Sequence, residues 1–273
     1  MSLELKTDIE KQIHDKIRGK VARIGAAVDE LIDYRDCRVT DINMIDGGFG
    51  QVRKLDGIRS IRHIWKTAKR YAKQEVMHAL HGEKICRDRK TVILDMHTAS
   101  EHPELSHKFD ACISSNVLEH SFNPILLLLN FYYVTKKDGY QYHAIPHCRY
   151  IYDKLRPPTK IEHLIEDFTN KTDKNDTTHN REYIELAVNK NPGYPKKFHE
   201  TYPVAYPVMH FHVFDENNTR ELFGLMFEEV TNDILLEPKF SDNVVIFKNR
   251  LNDDFIDKHG KTIKEYSENL LRN

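Results

Sequence analysis

Three carboxylates in the first half of the sequence stand where short apolar runs give out. Asp41 belongs to Val39–Ile42, Asp95 follows Val92–Leu94, and Glu119 comes shortly after Ala111–Ile113. Packing does not call for acids at strand ends, whereas a carboxylate is the strongest acceptor for the hydroxyls and amines of a polar ligand. Gly25 follows a further run, Val21–Ile24, and a glycine there lets the backbone approach a ligand closely as the chain turns. Histidine adds acid–base capacity. Of the 16 in the chain, His120 follows the Ala111–Ile113 run, and His143 and His147 flank the end of a run at Tyr140–Ile145. His147 is the first choice for a general base, because it follows Pro146 on the loop directly after the strand. With Tyr150, Tyr152 and Arg156 these histidines outline an acceptor pocket. The fixed charge of Arg156 suits a carboxylate or phosphate, and an ion pair with Asp153 is its structural alternative.

Two further groups offer other chemistry. His210-Phe211-His212 puts two imidazoles on one face of a strand, the start of a metal-ligand set. No third ligand is fixed by spacing, so polar positions on an exposed or edge strand are the preferred reading and no metal is expected. A metal-dependent enzyme using His210 and His212 stays as the lesser alternative. Arg53 to Lys73 carries eight Lys/Arg against the single acid Asp56, with Trp65 and Tyr71 interleaved. That pattern reads as a solvated helix face, with phosphate contact as its functional alternative. Nucleic acid is not expected as a partner, since aromatic stacking platforms on strands are not evident.

The elements that position these residues follow from apolar patterning. Strands at Val21–Ile24, Val39–Ile42, Val92–Leu94, Ala111–Ile113 and Tyr140–Ile145 read as buried on both faces. They alternate with helical stretches at Asp8–Arg18, Ile58–Leu80 and Pro124–Tyr133, which predicts a mostly parallel sheet covered on both sides. Lys136–Gly139 reads as a turn, with Gly139 available for a left-handed cap. From about Arg149 to Phe214 the chain is rich in Pro, Tyr, His and Asn and reads as a lid inserted after the fifth strand. Asp215 caps a helix through Phe227. Strands follow at Val230–Leu236 and Asn243–Phe247 around Glu237-Pro238, and a last amphipathic helix spans Ile263–Leu271.

With 273 residues, 41 Lys+Arg, 42 Asp+Glu and 40% hydrophobic residues, the composition is that of a globular domain. No apolar run approaches the roughly 18 residues needed to cross a bilayer. The amphipathic N-terminus lacks the apolar centre of a signal peptide, and four Cys without CxxC spacing read as reduced thiols, so a cytoplasmic location is expected. Leu126–Leu129 and the terminal helices are candidates for an oligomer interface; the oligomeric state is left open.

Phe109-Asp110-Ala111-Cys112-Ile113-Ser114-Ser115-Asn116-Val117-Leu118-Glu119-His120, followed by Asn123-Pro124, resembles the fourth-strand signature of class I S-adenosylmethionine-dependent methyltransferases. Val134-Thr135-Lys136-Lys137-Asp138-Gly139-Tyr140 stands where that family has its turn before the fifth strand. Tyr150 to Thr159 is similar to a subgroup of unknown substrate. The resemblance covers roughly residues 20 to 165. It implies an α/β fold with a Rossmann-like seven-stranded mixed sheet, helices on both faces and a lid insertion after strand 5. As a single domain the chain divides into an N-terminal helix (1–19), a cofactor-binding half (20–148), a substrate lid (149–214), a helix with the last two strands (215–250) and a C-terminal helix (251–273).

Carried over residue by residue, the resemblance implies that Gly25 lies against the methionine part of S-adenosylmethionine and that Asp41 holds the ribose hydroxyls. Asp95 would accept from the adenine amino group beside Met96, and Ser115 and Asn116 would line the wall under the sulfonium. The sequence departs from the family's first motif at Arg23, where an acid is expected, and at Ala27, where a second Gly is expected. Asp46-Gly47-Gly48-Phe49-Gly50 matches that motif better, but leaves too few strands before Phe109, so the earlier frame is preferred. The expected activity is methyl transfer to an oxygen or nitrogen of a small polar acceptor, sugar-like or anionic. A catalytically inactive binding protein with a degenerate cofactor motif is the alternative.

Overall fold

The computed structural model describes residues 13, 15–25, 37–43, 88–190, 209–236 and 241–271. Seven strands form one sheet: β1 (Gly19–Ile24), β2 (Cys37–Asn43), β3 (Asp88–Ile93), β4 (Phe109–Ser115), β5 (Thr135–Pro146), β6 (Thr231–Leu236) and β7 (Ser241–Lys248). Their order is β3-β2-β1-β4-β5-β7-β6. The first five run parallel, and β7 alone is reversed, pairing antiparallel with both β5 and β6. This is an α/β, Rossmann-like mixed sheet of seven strands, as expected.

Alternate residues of the central strands feed two cores. Ala22, Ile24, Ile42 and Cys112 join one; Val21, Val39, Ala111, Ile113, Tyr142 and Ala144 join the other, together with Ile13 and Ile17. Burial on both faces explains why these strands read as unbroken apolar runs. The third strand differs from expectation. It ends at Ile93, before Leu94, and Val92 and Ile93 are 39% and 65% exposed, so it is an edge strand rather than one buried on both faces.

Helix α1 (Pro124–Val134) starts from Asn123, whose side chain accepts from the Leu126 amide, and every one of its residues is buried. A helix apolar on all sides belongs in a core, not on a surface. Leu126–Leu129 therefore lie inside the chain and are not the oligomer interface considered from sequence. β5 begins directly after α1, so Lys136–Gly139 is strand rather than a free turn. The left-handed residue is Asp138 (φ 61°), not Gly139. Gly139 is needed for space instead, since a Cβ there would sit 2.7 Å from the Asp110 carbonyl oxygen.

Beyond β5 come α2 (Ile161–Thr169) and a short helical segment over Asn180–Glu182 and Tyr183–Val188. Helix α3 (Glu216–Met226) is capped as its sequence predicts. Asp215 accepts from the amides of Asn217 and Asn218, and Asn218 accepts in return from the Asp215 amide. Asp215→Ala is expected to cost about 1–2 kcal/mol, read as a lowered denaturation midpoint with unchanged slope. Helix α4 (Asp253–Tyr266) starts ten residues before the expected Ile263 and is followed by a tight turn over Glu268–Leu271. Cys37, Cys112 and Cys148 are buried free thiols. Among the described residues no helix is long and apolar enough to cross a membrane. Most of the expected helix at 8–18, the helix at 58–80, Ala27, the glycines at 47–50, the basic segment 53–73 and the turn at 237–238 lie outside the described residues.

Candidate active site at the β1/β4 switch point

Strand order reverses between β1 and β4, and in open α/β sheets ligands bind outside the carboxyl ends of the strands at that point. Gly25 ends β1 with φ 96°, and Asn116 follows β4 with φ 52°. A Cβ on Gly25 would lie 2.5 Å from the Ser115 carbonyl oxygen and 2.8 Å from Val117, so only glycine fits. Asn tolerates the left-handed region better than other side chains, and its amide donates to Ala144 of β5 at 3.0 Å. The sequence-predicted Gly25, Ser115 and Asn116 are thus brought together, with bare backbone turning away from two adjacent strand ends.

The other residues expected around a cofactor are committed elsewhere. Asp41 lies inside β2, opposite Arg23 in register, and its Oδ1 accepts from Arg23 Nε at 2.7 Å and Nη2 at 2.6 Å. Both are buried, so Asp41 is half of a strand-interior ion pair and not a strand-end acid holding ribose hydroxyls. The pair also accounts for the unexpected Arg23, whose charge is matched beside it. Met96 is fully buried in the main core rather than beside an open ring site. Asp95 caps the turn Met96–Glu101: its Oδ1 accepts from the His97 amide at 2.9 Å and lies 3.0 Å from His97 Nδ1. His97 Nε2 meets Ser121 Oγ at 2.8 Å, a linkage not noticed from sequence. Burial works to raise the Asp95 pKa, but the His97 hydrogen bonds and charge hold it below the ordinary value.

His120, four residues after Asn116, packs against a group of buried acid–base side chains. Asp153 Oδ2 lies 2.5 Å from His210 Nδ1, and His210 Nε2 lies 2.5 Å from the Tyr152 hydroxyl. A carboxylate only accepts, so His210 donates from Nδ1, leaving Nε2 to accept from Tyr152. Asp153 Oδ1 takes Arg156 Nη1 at 2.9 Å, while Arg156 also donates to Glu182 and to the carbonyls of His210 and Phe211. Burial would raise the Asp153 pKa, but the His210 and Arg156 charges and hydrogen bonds reverse this and hold it low. Arg156 is therefore the buried ion pair considered as its alternative, not a free anion receptor. His120 packs edge-on to His210 with ring centres 4.5 Å apart, and its pKa is pushed down to about 3 by burial and by His210. Glu119 Oε2 is buried with no hydrogen-bond partner among the described residues, and burial raises its pKa well above the ordinary value.

Two expected bases sit outside this group. His143 is buried within β5, where Phe131 and Phe247 stack on it. Its Nε2 is 3.0 Å from Gln141 Oε1 and its Nδ1 2.7 Å from Ser114 Oγ. Gln141 donates its amide to Asn249, so its Oε1 accepts, and His143 is an Nε2–H tautomer held neutral: burial drops its pKa to about 3. It is a core residue and not a catalyst. His147 bridges elements: Nδ1 accepts from the Arg149 amide at 3.2 Å, so Nε2 donates to Glu216 of α3 at 2.7 Å. Tyr150 packs on that ring and is exposed.

His210 and His212 do not share a strand or a site. Residues 209–213 form no ladder, and His212 turns to Ser121 and Asp167. With His163 and His179 it belongs to a second group of donors, and Glu119, His120 and His210 form another within metal-binding reach. Sequence reading missed His163, Asp167 and His179; it named Glu119 as a strand-end acid and Asp153 as a partner of Arg156, but not their meeting with His210. His163 and Asp167 alone carry a visible signal, the four-residue spacing that puts two side chains on one helix face.

No family model and no curated protein matches the chain. Solved structures do resemble it. A CurJ carbon methyltransferase is 12% identical over 90% of this chain and 54% of its own, with a TM-score of 0.43. A SAM-dependent methyltransferase from Methanosarcina mazei is 14% identical over 85% and 93% of the two chains (TM-score 0.44). A protein from Pyrococcus horikoshii OT3 is 16% identical over 90% and 92% (TM-score 0.41). The chain spans about half the length of the CurJ structure.

Proposed function

We propose that the chain transfers a methyl group from S-adenosylmethionine to an oxygen or nitrogen of a small polar acceptor, sugar-like or anionic. The observation that carries this reading is the pair of left-handed positions, Gly25 and Asn116, at the sheet's switch point, together with the Tyr152–His210–Asp153 chain that packs on His120, four residues after Asn116. Gly25, Ser115 and Asn116 suit a ligand that needs backbone contact at close range. Asp41, paired to Arg23, does not suit the ribose, and no cofactor contact is assigned to it. The cofactor supplies an electrophilic methyl group; the chain supplies alignment and a path for the acceptor's proton. Tyr152 takes that proton as its own passes to His210 Nε2, and Asp153 stabilises the resulting imidazolium through Nδ1–H.

Tyr152→Phe keeps the ring and deletes the hydroxyl. It is expected to lower methyl transfer about 100-fold or more, scored with radiolabelled cofactor against a panel of sugars and anionic metabolites, with cofactor affinity unchanged. Transfer within threefold of the natural chain removes Tyr152 from the proton path. A second reading, a binding protein without turnover, is favoured by one observation: the acid expected to grip the cofactor is consumed by Arg23. Tight cofactor binding with no transfer to any acceptor would support it.

A further inference from the structure

The segment after β5 holds four donors aimed at one point. His163 Nε2, Asp167 Oδ2, His179 Nε2 and His212 Nε2 lie within 4.8 Å of one another. The individual separations are 2.9 Å (His212–Asp167), 3.5 Å (His163–Asp167), 3.9 Å (His179–Asp167) and 2.8 Å (His163–His179). They scatter around the separation of about 3.3 Å that tetrahedral zinc imposes on nitrogen and oxygen ligands.

Outward-facing atoms orient the donors. His212 Nδ1 lies 2.9 Å from the Ser121 carbonyl oxygen, His179 Nδ1 lies 2.8 Å from Asp176 Oδ2, and Asp167 Oδ1 accepts from Thr172 at 2.9 Å. This is the outer shell that fixes a metal-ligating imidazole in one tautomer. It also leaves a shortage of protons. A carbonyl can only accept, so His212 carries its hydrogen on Nδ1, and the same holds for His179 against its carboxylate. Their Nε2 lone pairs then face the Asp167 carboxylate and the Nε2 of His163. Three or four acceptors converge on a space where His163 brings one hydrogen at most. A cation resolves that conflict.

We propose that His163, Asp167, His179 and His212 bind a zinc ion in a closed, four-ligand structural site. Three imidazoles and a carboxylate gathered around one point suit zinc among the divalent metals. Four protein ligands leave no open coordination position, which sets this site apart from catalytic zinc. Its effect is to clamp α2, the loop carrying His179 and the stretch at 209–213 to Ser121 after β4, pinning the segment that carries Tyr152 and His210. The inference does not depend on the methyl-transfer reading.

The test uses the full chain, purified without a polyhistidine tag or chelator. Elemental analysis is expected to find one zinc per chain; chelation should lower the melting temperature, and added zinc should restore it. Cobalt added to the stripped chain should give the intense visible absorption of a tetrahedral site. His163 is 40% exposed, so His163→Gln should fold while losing the cobalt spectrum. Asp176→Ala keeps all four ligands and should weaken zinc affinity about 10–100-fold. A folded natural chain that is metal-free, shows no melting shift with zinc and gives no cobalt bands overturns the proposal. So does a His163→Gln chain that binds both metals as the natural one does.

Discussion

Asp153→Ala is expected to cost the fold about 3–5 kcal/mol, the range for removing one partner from a buried ion pair. Asp153 is almost wholly enclosed and accepts from two donors at once, Arg156 on one oxygen and His210 on the other. Removing the carboxylate leaves the guanidinium with two carbonyls and Glu182, which is 46% exposed and correspondingly screened. His210 loses the acceptor that fixes its tautomer, so the variant should also lose methyl transfer. Urea titration is the measurement, with Glu182→Ala as comparison at no more than about 1 kcal/mol. Near-equal costs for the two variants would contradict the central role given to Asp153. Its pH signature follows from a folded pKa below the ordinary aspartate value. The contribution is present above the unfolded pKa and is lost as pH falls through the folded one. The natural chain should therefore lose this contribution as pH falls below about 4, and Asp153→Ala should lack that part of the acid dependence.

Glu119 runs the opposite way. Burial raises its pKa well above 4.5, and the Asp242 and Asp153 charges add to the rise. The folded chain then binds a proton that the unfolded chain releases. Stability from this group is full below the unfolded pKa and falls as pH rises toward the folded value, by about 1.4 kcal/mol per pH unit. Glu119→Gln is permanently neutral and nearly the same shape. Its stability should match the natural chain near pH 4 and exceed it increasingly above pH 4.5. Urea midpoints across pH 4–8 measure this directly. The groups that face Glu119 are His120, His210, Asp153 and Asp242, so the same series on His120→Gln shows how much belongs to the neighbouring imidazole. Parallel profiles for Glu119→Gln and the natural chain would show that Glu119 is ionised in the fold.

The sheet was legible because a two-face-buried strand writes itself as an apolar run, and β1, β2, β4 and β5 all do so. The Asp215 cap was legible for the same local reason. Partnerships across long stretches of chain were not. Nothing near Asp41 announces that Arg23 of the neighbouring strand will take its carboxylate, because register is settled by packing on both faces. His143 reads as a strand-end base, yet it is enclosed by Phe131, Phe223 and Phe247 from three different elements. His210 and Asp153 meet across 57 residues, with no periodicity linking them. Gly25 stood out because a left-handed turn favours glycine, Asn116 was named through the resemblance alone, and both take left-handed conformations at the switch point.

The proposed activity requires an adenosyl cofactor at the β1/β4 switch point. The direct measurement is calorimetric titration of the purified full chain, freed of carried-over ligand, with S-adenosylhomocysteine and with S-adenosylmethionine. Saturable heat is expected, with one site per chain and micromolar affinity. Absence of heat and of any melting shift at millimolar ligand, from a folded and monodisperse sample, would contradict it.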